Sequence, residues 1–228
     1  MKKILSTLIF SLLLIANSAL AFEIDYLKGG KSEELLQKVG YRILNANKIP
    51  YRTNFVLAQK KQINASTSCR NKTIVLYDTT LRYLTTEDEL AAILAHEISH
   101  LVDLNQGAFN GQFACFTQSF APKKYELKAD KRAVDYLVNA GYHPVAEIVA
   151  LNKITDQPRY DWNLSHPLGS KRMASVYEYI YSKYPQYLVE NPYKDNVVYQ
   201  NFLLTSRENR KKLQDKVKTN SNRQINYL

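Results

Sequence analysis

Cysteine is scarce in this chain. Its 228 residues contain two, Cys69 and Cys115, and they do not form a CxxC pair. One disulfide at most is open to them, and their spacing does not fix the distance between them. After residue 21 there is no further long apolar run, so no second segment reads as a membrane span. Internal repeats and long low-complexity linkers are also missing. What remains is enough for one good core, or one core plus a small extension. No recognisable nucleic-acid-binding module accompanies the formal charge of +10, and nucleic acid is a poor partner for this chain. The positive charge suits anionic lipid headgroups or acidic polymers weakly, and solubility in the first place.

The first 21 residues read as an address. Lys2 and Lys3 form a positive start, and Ile4 to Ile15 is apolar except for Ser6, Thr7 and Ser11. Ala19-Leu20-Ala21 then fits a small-x-small cleavage site. An uncleaved anchor fits less well, because the run is short for a span. With no cysteine near the cut, lipid attachment is not expected. A mature chain starting at Phe22 loses two lysines and no acids, taking +10 to +8. It would work outside the cytoplasm, in the periplasm of a bacterium or secreted beyond it.

Periodicity predicts the elements. Ser32 to Asn47 reads as an amphipathic helix with Leu35, Leu36, Val39, Ile43 and Leu44 on one side. Phe55 to Gln59 and Thr73 to Tyr77 are short β-prone runs that suggest a small sheet. A third segment, from Glu87, has a capping-box pattern with Thr86 as N-cap and Glu89 reaching back to it. Leu90, Ile93, Leu94 and Leu101 give it a buried face. Residues 105–122 look like a loop, Tyr125 to Ala140 a strong helix stopped at Gly141, and Ser170 to Tyr184 another helix. His143 belongs to a turn, and most tyrosines to packing. From about Thr205 to Leu228 a solvated helix and a frayed end are expected.

Inside the third segment lies His96-Glu97-Ile98-Ser99-His100. Two histidines four apart on a helix differ by only about 40° in direction and can offer nitrogens to one metal ion. Glu97 between them can carry a proton. A hydrolytic zinc site needs a third protein ligand and leaves the fourth position to water. Glu126, 26 residues after His100, supplies one, and Asp130 one turn further along can fix the tautomer of a ligating imidazole. With that site provided for, the cysteines are not needed as ligands.

These residues resemble the HtpX-like and CaaX-prenyl-endopeptidase-like metallopeptidases, family forty-eight in the usual numbering. Asn64-Ala65 resembles the opening of the family's substrate-side hairpin. Residues 85–100 are similar to its active helix almost throughout. Glu126-x-x-x-Asp130 with Ala140-Gly141-Tyr142-His143-Pro144 resembles its third-ligand helix and exit turn. Ser165-His166-Pro167, with Arg172 six residues after the histidine, is similar to its late signature. Together these span roughly residues 50 to 180. Ser99 departs from the family's usual glycine, and Lys128 from a common acid. Residues 66–70 are more polar than the usual edge strand, and no helical-repeat extension follows.

The resemblance implies an α+β, zincin-like (gluzincin) fold, mostly helical, with a small sheet beside the active-site helix. It implies residues 22–200 as the metallopeptidase domain after a signal peptide of residues 1–21, with 201–228 as a basic polar extension. One catalytic zinc would be held by His96, His100 and Glu126. Glu97 would be the general base, Asp130 a support, and His166 the oxyanion donor with Arg172 nearby. The implied activity is endopeptidase cleavage of unfolded, misassembled or membrane-associated envelope polypeptides. A latent or non-cleaving zinc-binding chaperone of the same fold is the alternative, against which the intact Glu97 argues.

Overall fold

The computed structural model describes residues 31–68, 71–105, 122–155 and 169–227. The expected leader, the loop after Asn105, Cys69, Cys115 and His166 lie outside them.

The first helix, α1 (Lys31–Ala46), buries Leu35, Leu36, Val39, Ile43 and Leu44 as its periodicity predicts. Gly40 lies on the same side for a steric reason. A Cβ there would come within 2.4 Å of the Phe55 ring, so the glycine lets α1 settle on strand β1 (Asn54–Ala58). Strands β2 (Ala65–Thr67) and β3 (Thr73–Tyr77) complete a mixed sheet of order β1-β3-β2. β1 runs parallel to β3 with Phe55 opposite Ile74, and β2 antiparallel with Ser66 opposite Val75. Tyr77 N–H donates to Asn64 (3.1 Å) and Ser68 N–H to Thr73 (2.8 Å). By the alternation of an antiparallel ladder, the amides and carbonyls of Ala65 and Thr67 therefore face the open edge.

After the short α2 (Asp78–Tyr83) comes the central helix α3 (Glu87–Asn105), buried on most of its circumference. Its start differs from the expected capping box. Thr86 Oγ1 accepts from the Glu89 N–H at 3.1 Å, as an N-cap should. The Glu89 carboxylate, however, takes the N–H of Thr85 at 2.8 Å. Lys153 explains the shift: its ammonium pairs with Glu89 at 2.7 Å and with Thr85 Oγ1 at 3.0 Å, drawing the carboxylate one residue outward.

Four further helices follow: α4 (Pro122–Asn139) and α5 (Ala146–Ile154) pack on α3, α6 (Gly169–Lys183) packs on α4 and α5, and the short α7 (Gln186–Val189) packs on α6. α4 ends in a Schellman turn, with Tyr142 N–H to Leu137 O (2.9 Å) and Gly141 N–H to Val138 O (3.1 Å). Gly141 takes φ +72°, the left-handed conformation that this turn needs. Helices α8 (Val197–Thr205) and α9 (Arg207–Lys218) then lie against α5 and α6. Beyond α9 the chain folds back: Tyr227 is buried and donates to Glu178 of α6 at 2.8 Å. That contact anchors a segment which composition alone marks as a frayed end. The architecture is the expected α+β one, mostly helical, with the small sheet beside the helix that carries His96.

Candidate metal centre

α3 and α4 cross along a seam of small and charged residues. Ala91, Ala92, Ala95 and Ser99 on α3 and Ala129 and Ala133 on α4 are fully buried. Small side chains let the backbones approach, and ion pairs then fix the register. Asp103 of α3 receives Lys128 and Arg132 of α4, each at 2.8 Å. Arg132 also donates to the carbonyl of Ser99 at 3.1 Å. Lys128, which replaces an acid usual in the resembled family, thus has a partner of its own.

This docking brings Glu126 onto the two histidines. His96 Nε2 and His100 Nε2 are 3.1 Å apart. The Glu126 carboxylate lies 3.4 Å from the first and 3.2 Å from the second. Any tetrahedral zinc site with bonds of about 2.0–2.1 Å has ligand–ligand edges of about 3.3 Å. The two imidazole nitrogens therefore stand close to the separation that one such ion requires, with a Glu126 oxygen beside each, and a His-His-carboxylate set is one of its hydrolytic coordinations.

Behind the donors is a buried ionic layer. His96 Nδ1 lies 2.9 Å from Asp130 Oδ1. Arg172, from α6, grips both Asp130 oxygens at 2.9 and 2.6 Å and reaches Glu126 at 3.1 Å. It also approaches the His96 ring, at 3.4 Å from Nδ1. Burial alone would push the His96 pKa down, but the bonds to Asp130 and Glu126 hold it well above the ordinary imidazole range. For Asp130, burial works upward and is outweighed by Arg172 and His96, which keep its carboxyl below the usual range. Arg172 is disfavoured by burial and held charged by Asp130 and Glu126.

A fourth carboxylate was not foreseen. Glu147 of α5 is 1 % exposed, lies 4.0 Å from His96 Nδ1, and has an oxygen with no hydrogen-bond partner among the described residues. Burial, then the nearby Asp130 charge, push its pKa up to about 8. With His96 and Asp130 it forms a second group within metal-binding distance. The Arg172 guanidinium already supplies the cation there. The signal in the sequence is a lone acid in Val145-Ala146-Glu147-Ile148-Val149.

Glu97 is 8 % exposed and faces the sheet, where its carboxylate accepts the Thr67 hydroxyl at 2.7 Å. The fold thus gathers six of the seven residues that sequence reasoning selected: His96, Glu97, His100, Glu126, Asp130 and Arg172. His166 lies outside the described residues. Arg172, expected beside His166, is placed against Asp130, Glu126 and His96. Thr67 and Glu147 were both missed. Thr67 carries no signal beyond the polarity of its strand.

Residues 31–108 match the family model described as Peptidase family M48. Among curated proteins, a Beta-barrel assembly-enhancing protease of Yersinia pestis is 26% identical over 184 residues, covering 63% of this chain and 38% of that protein. Those of Escherichia coli (strain K12) and Shigella flexneri are each 25% identical over the same lengths. The chain therefore spans well under half the length of these relatives.

Proposed function

Because the chain carries a Peptidase family M48 domain over residues 31–108, we propose that it is a zinc-dependent endopeptidase acting on unfolded or misassembled envelope proteins. One observation carries the reading: two imidazole nitrogens 3.1 Å apart share the Glu126 carboxylate, which lies within 3.4 Å of each, while Glu97 lies between the two histidines on the same helix.

His96, His100 and Glu126 would hold the ion, which when bound supplies the Lewis acidity that activates water and polarises a carbonyl. The chain's own residues do the rest. Glu97 takes a proton from the water as the new carbon–oxygen bond forms and the carbonyl electrons move to its oxygen; it then gives that proton to the amine nitrogen as the carbonyl re-forms and the carbon–nitrogen bond breaks. Asp130 holds the His96 Nδ1 proton, and so keeps Nε2 turned to the site. Arg172 balances Asp130 and Glu126, so the ligand carboxylate is not drawn from its place. His166 is assigned the donor role at the developing oxyanion, on the resemblance of its motif. The outward backbone groups of Ala65 and Thr67 offer an extended substrate an edge to pair with.

The substrate class follows the name of the relatives, beta-barrel assembly-enhancing proteases, and the address-like start suggests export to the periplasm. Residues 22–200 would form the peptidase domain and 201–228 a basic extension, whose charge gives weak affinity for anionic membrane surfaces. Among the described residues no helix is long and apolar enough to cross a membrane.

The test compares residues 22–228 with Glu97→Gln, both loaded with zinc, on an unfolded protein, with bound metal measured in each. Cleavage by the first alone, with one metal in both, is the expected result. Equal metal and no cleavage by either would favour a latent or client-binding protein. No metal in either would end the zinc reading.

A further inference from the structure

Thr67 stands at the meeting point of the sheet and α3. It belongs to β2, the edge strand, and its backbone faces the open side. Its side chain turns inward to Glu97: the hydroxyl oxygen is 2.7 Å from Glu97 Oε2 and 2.9 Å from the Glu97 carbonyl. The shorter contact falls at the upper end of the range of a charge-assisted hydroxyl–carboxylate bond. We infer that Thr67 is the positioning residue for Glu97, holding the carboxylate of the general base in one rotamer; this rests on the peptidase reading above.

The physical need is plain. A glutamate has three rotatable bonds before its carboxylate, while a general base must stay within about 2.6–3.2 Å of the proton it takes. Threonine suits the task because its β-branch restricts χ1, so the hydroxyl is itself fixed in direction. Bound at one oxygen, the carboxylate keeps the other for water. The second acceptor matters as well. While Glu97 is ionised, the hydroxyl donates to the carboxylate. When Glu97 carries a proton, the acid can donate to Thr67 Oγ1 and the hydroxyl to the Glu97 carbonyl. Both states are then satisfied without movement, so the bond is not forfeited midway through the cycle. An edge-strand residue thereby supports the base through its side chain while its backbone lies open to substrate.

The experiment uses residues 22–228 with zinc and a fluorogenic unfolded peptide, comparing wild type, Thr67→Val and Thr67→Ser. Valine keeps the shape and removes the hydroxyl. Its kcat should fall roughly tenfold to a hundredfold with KM within about twofold, at unchanged zinc content and thermal midpoint. Serine should recover kcat to within a few-fold. In a Glu97→Gln background, Thr67→Val should cost nothing more, because the group it orients no longer takes a proton. A kcat for Thr67→Val close to wild type, failure of serine to rescue, or a loss explained by lower zinc content or midpoint would overturn the inference. Were the wild type itself inactive, the peptidase reading would fail separately. Crystal structures of wild type and Thr67→Val would still decide the positioning role: a displaced Glu97 carboxylate supports it, and one that keeps its place overturns it.

Discussion

Ser99 takes a hydroxyl into the seam between α3 and α4 with no exposed surface and, among the described residues, no partner for its Oγ. A buried, unsatisfied hydroxyl costs about 1–3 kcal/mol relative to an apolar replacement of similar shape. Alanine also has the higher helix propensity, and it adds no volume at a contact where volume is scarce. Ser99→Ala should therefore raise stability by about 1 kcal/mol, read as a higher urea midpoint with unchanged slope. A lower midpoint would mean that the hydroxyl has a partner in solution. The backbone carbonyl of the same residue, which accepts from Arg132, is untouched by the change, so the register of α4 on α3 should persist. Residues within one helical turn of each other thus differ sharply in what they contribute: His96 and Glu97 are tied to named partners, whereas the Ser99 side chain is tied to none.

Among the elements, contact between α1 and β1 depends on Gly40. An added methyl would meet three ring atoms of Phe55 at 2.4 to 2.6 Å, and Phe55 is buried beneath Tyr41, which meets it edge-on at 5.5 Å. Gly40→Ala gains about 1 kcal/mol of helix propensity but forces overpacking worth about 1–3 kcal/mol, for a net loss of up to about 2 kcal/mol. Adding Phe55→Leu should restore part of it, and a double variant no more stable than Gly40→Ala would locate the strain elsewhere. No sequence pattern reveals this glycine, because inside a good helix it reads only as a weakness. Helices with one apolar stripe, α1, α4 and α6, are legible in the sequence to within about three residues, because periodicity reports a single buried face. α5 is not. Its residues from Ala146 to Leu151 are buried on every side, which erases the period. β2 is too short to alternate visibly. The ligand spacing on α3 and α4 was readable because each i,i+4 pair is local. Thr67 and Glu147 meet the site only through tertiary packing, and their roles could not be read from neighbours in the chain.

On the scale of the whole molecule, His143 ties the turn before α5 to the C-terminal half. Its Nε2–H donates to the carbonyl of Glu190 at 3.0 Å, and its ring meets Tyr187 edge-on at 5.1 Å. The other nitrogen, Nδ1, is buried and has no partner among the described residues. The Asp88 carboxylate accepts the His143 backbone N–H and is pushed up by its own burial. Protonating the ring would place a second N–H where no described residue accepts it. Burial accordingly lowers the His143 pKa, and the Glu190 bond offsets this only in part. The sign follows from proton counting. Below about pH 6.5 the unfolded chain takes up a proton at this site that the folded chain refuses until lower pH. Stability from His143 is thus fully present above pH 6.5 and declines as pH falls through that value toward the folded pKa. His143→Gln keeps a donor for Glu190 but cannot titrate. Measured by urea unfolding from pH 8 to pH 5 in the presence of a chelator, the gap between wild type and His143→Gln should narrow as pH falls. Other groups, His96 among them, titrate in both proteins and cancel in that difference. A gap independent of pH would show that His143 accepts its proton in the fold, and that the link between the α5 turn and the C-terminal helices does not depend on a neutral imidazole.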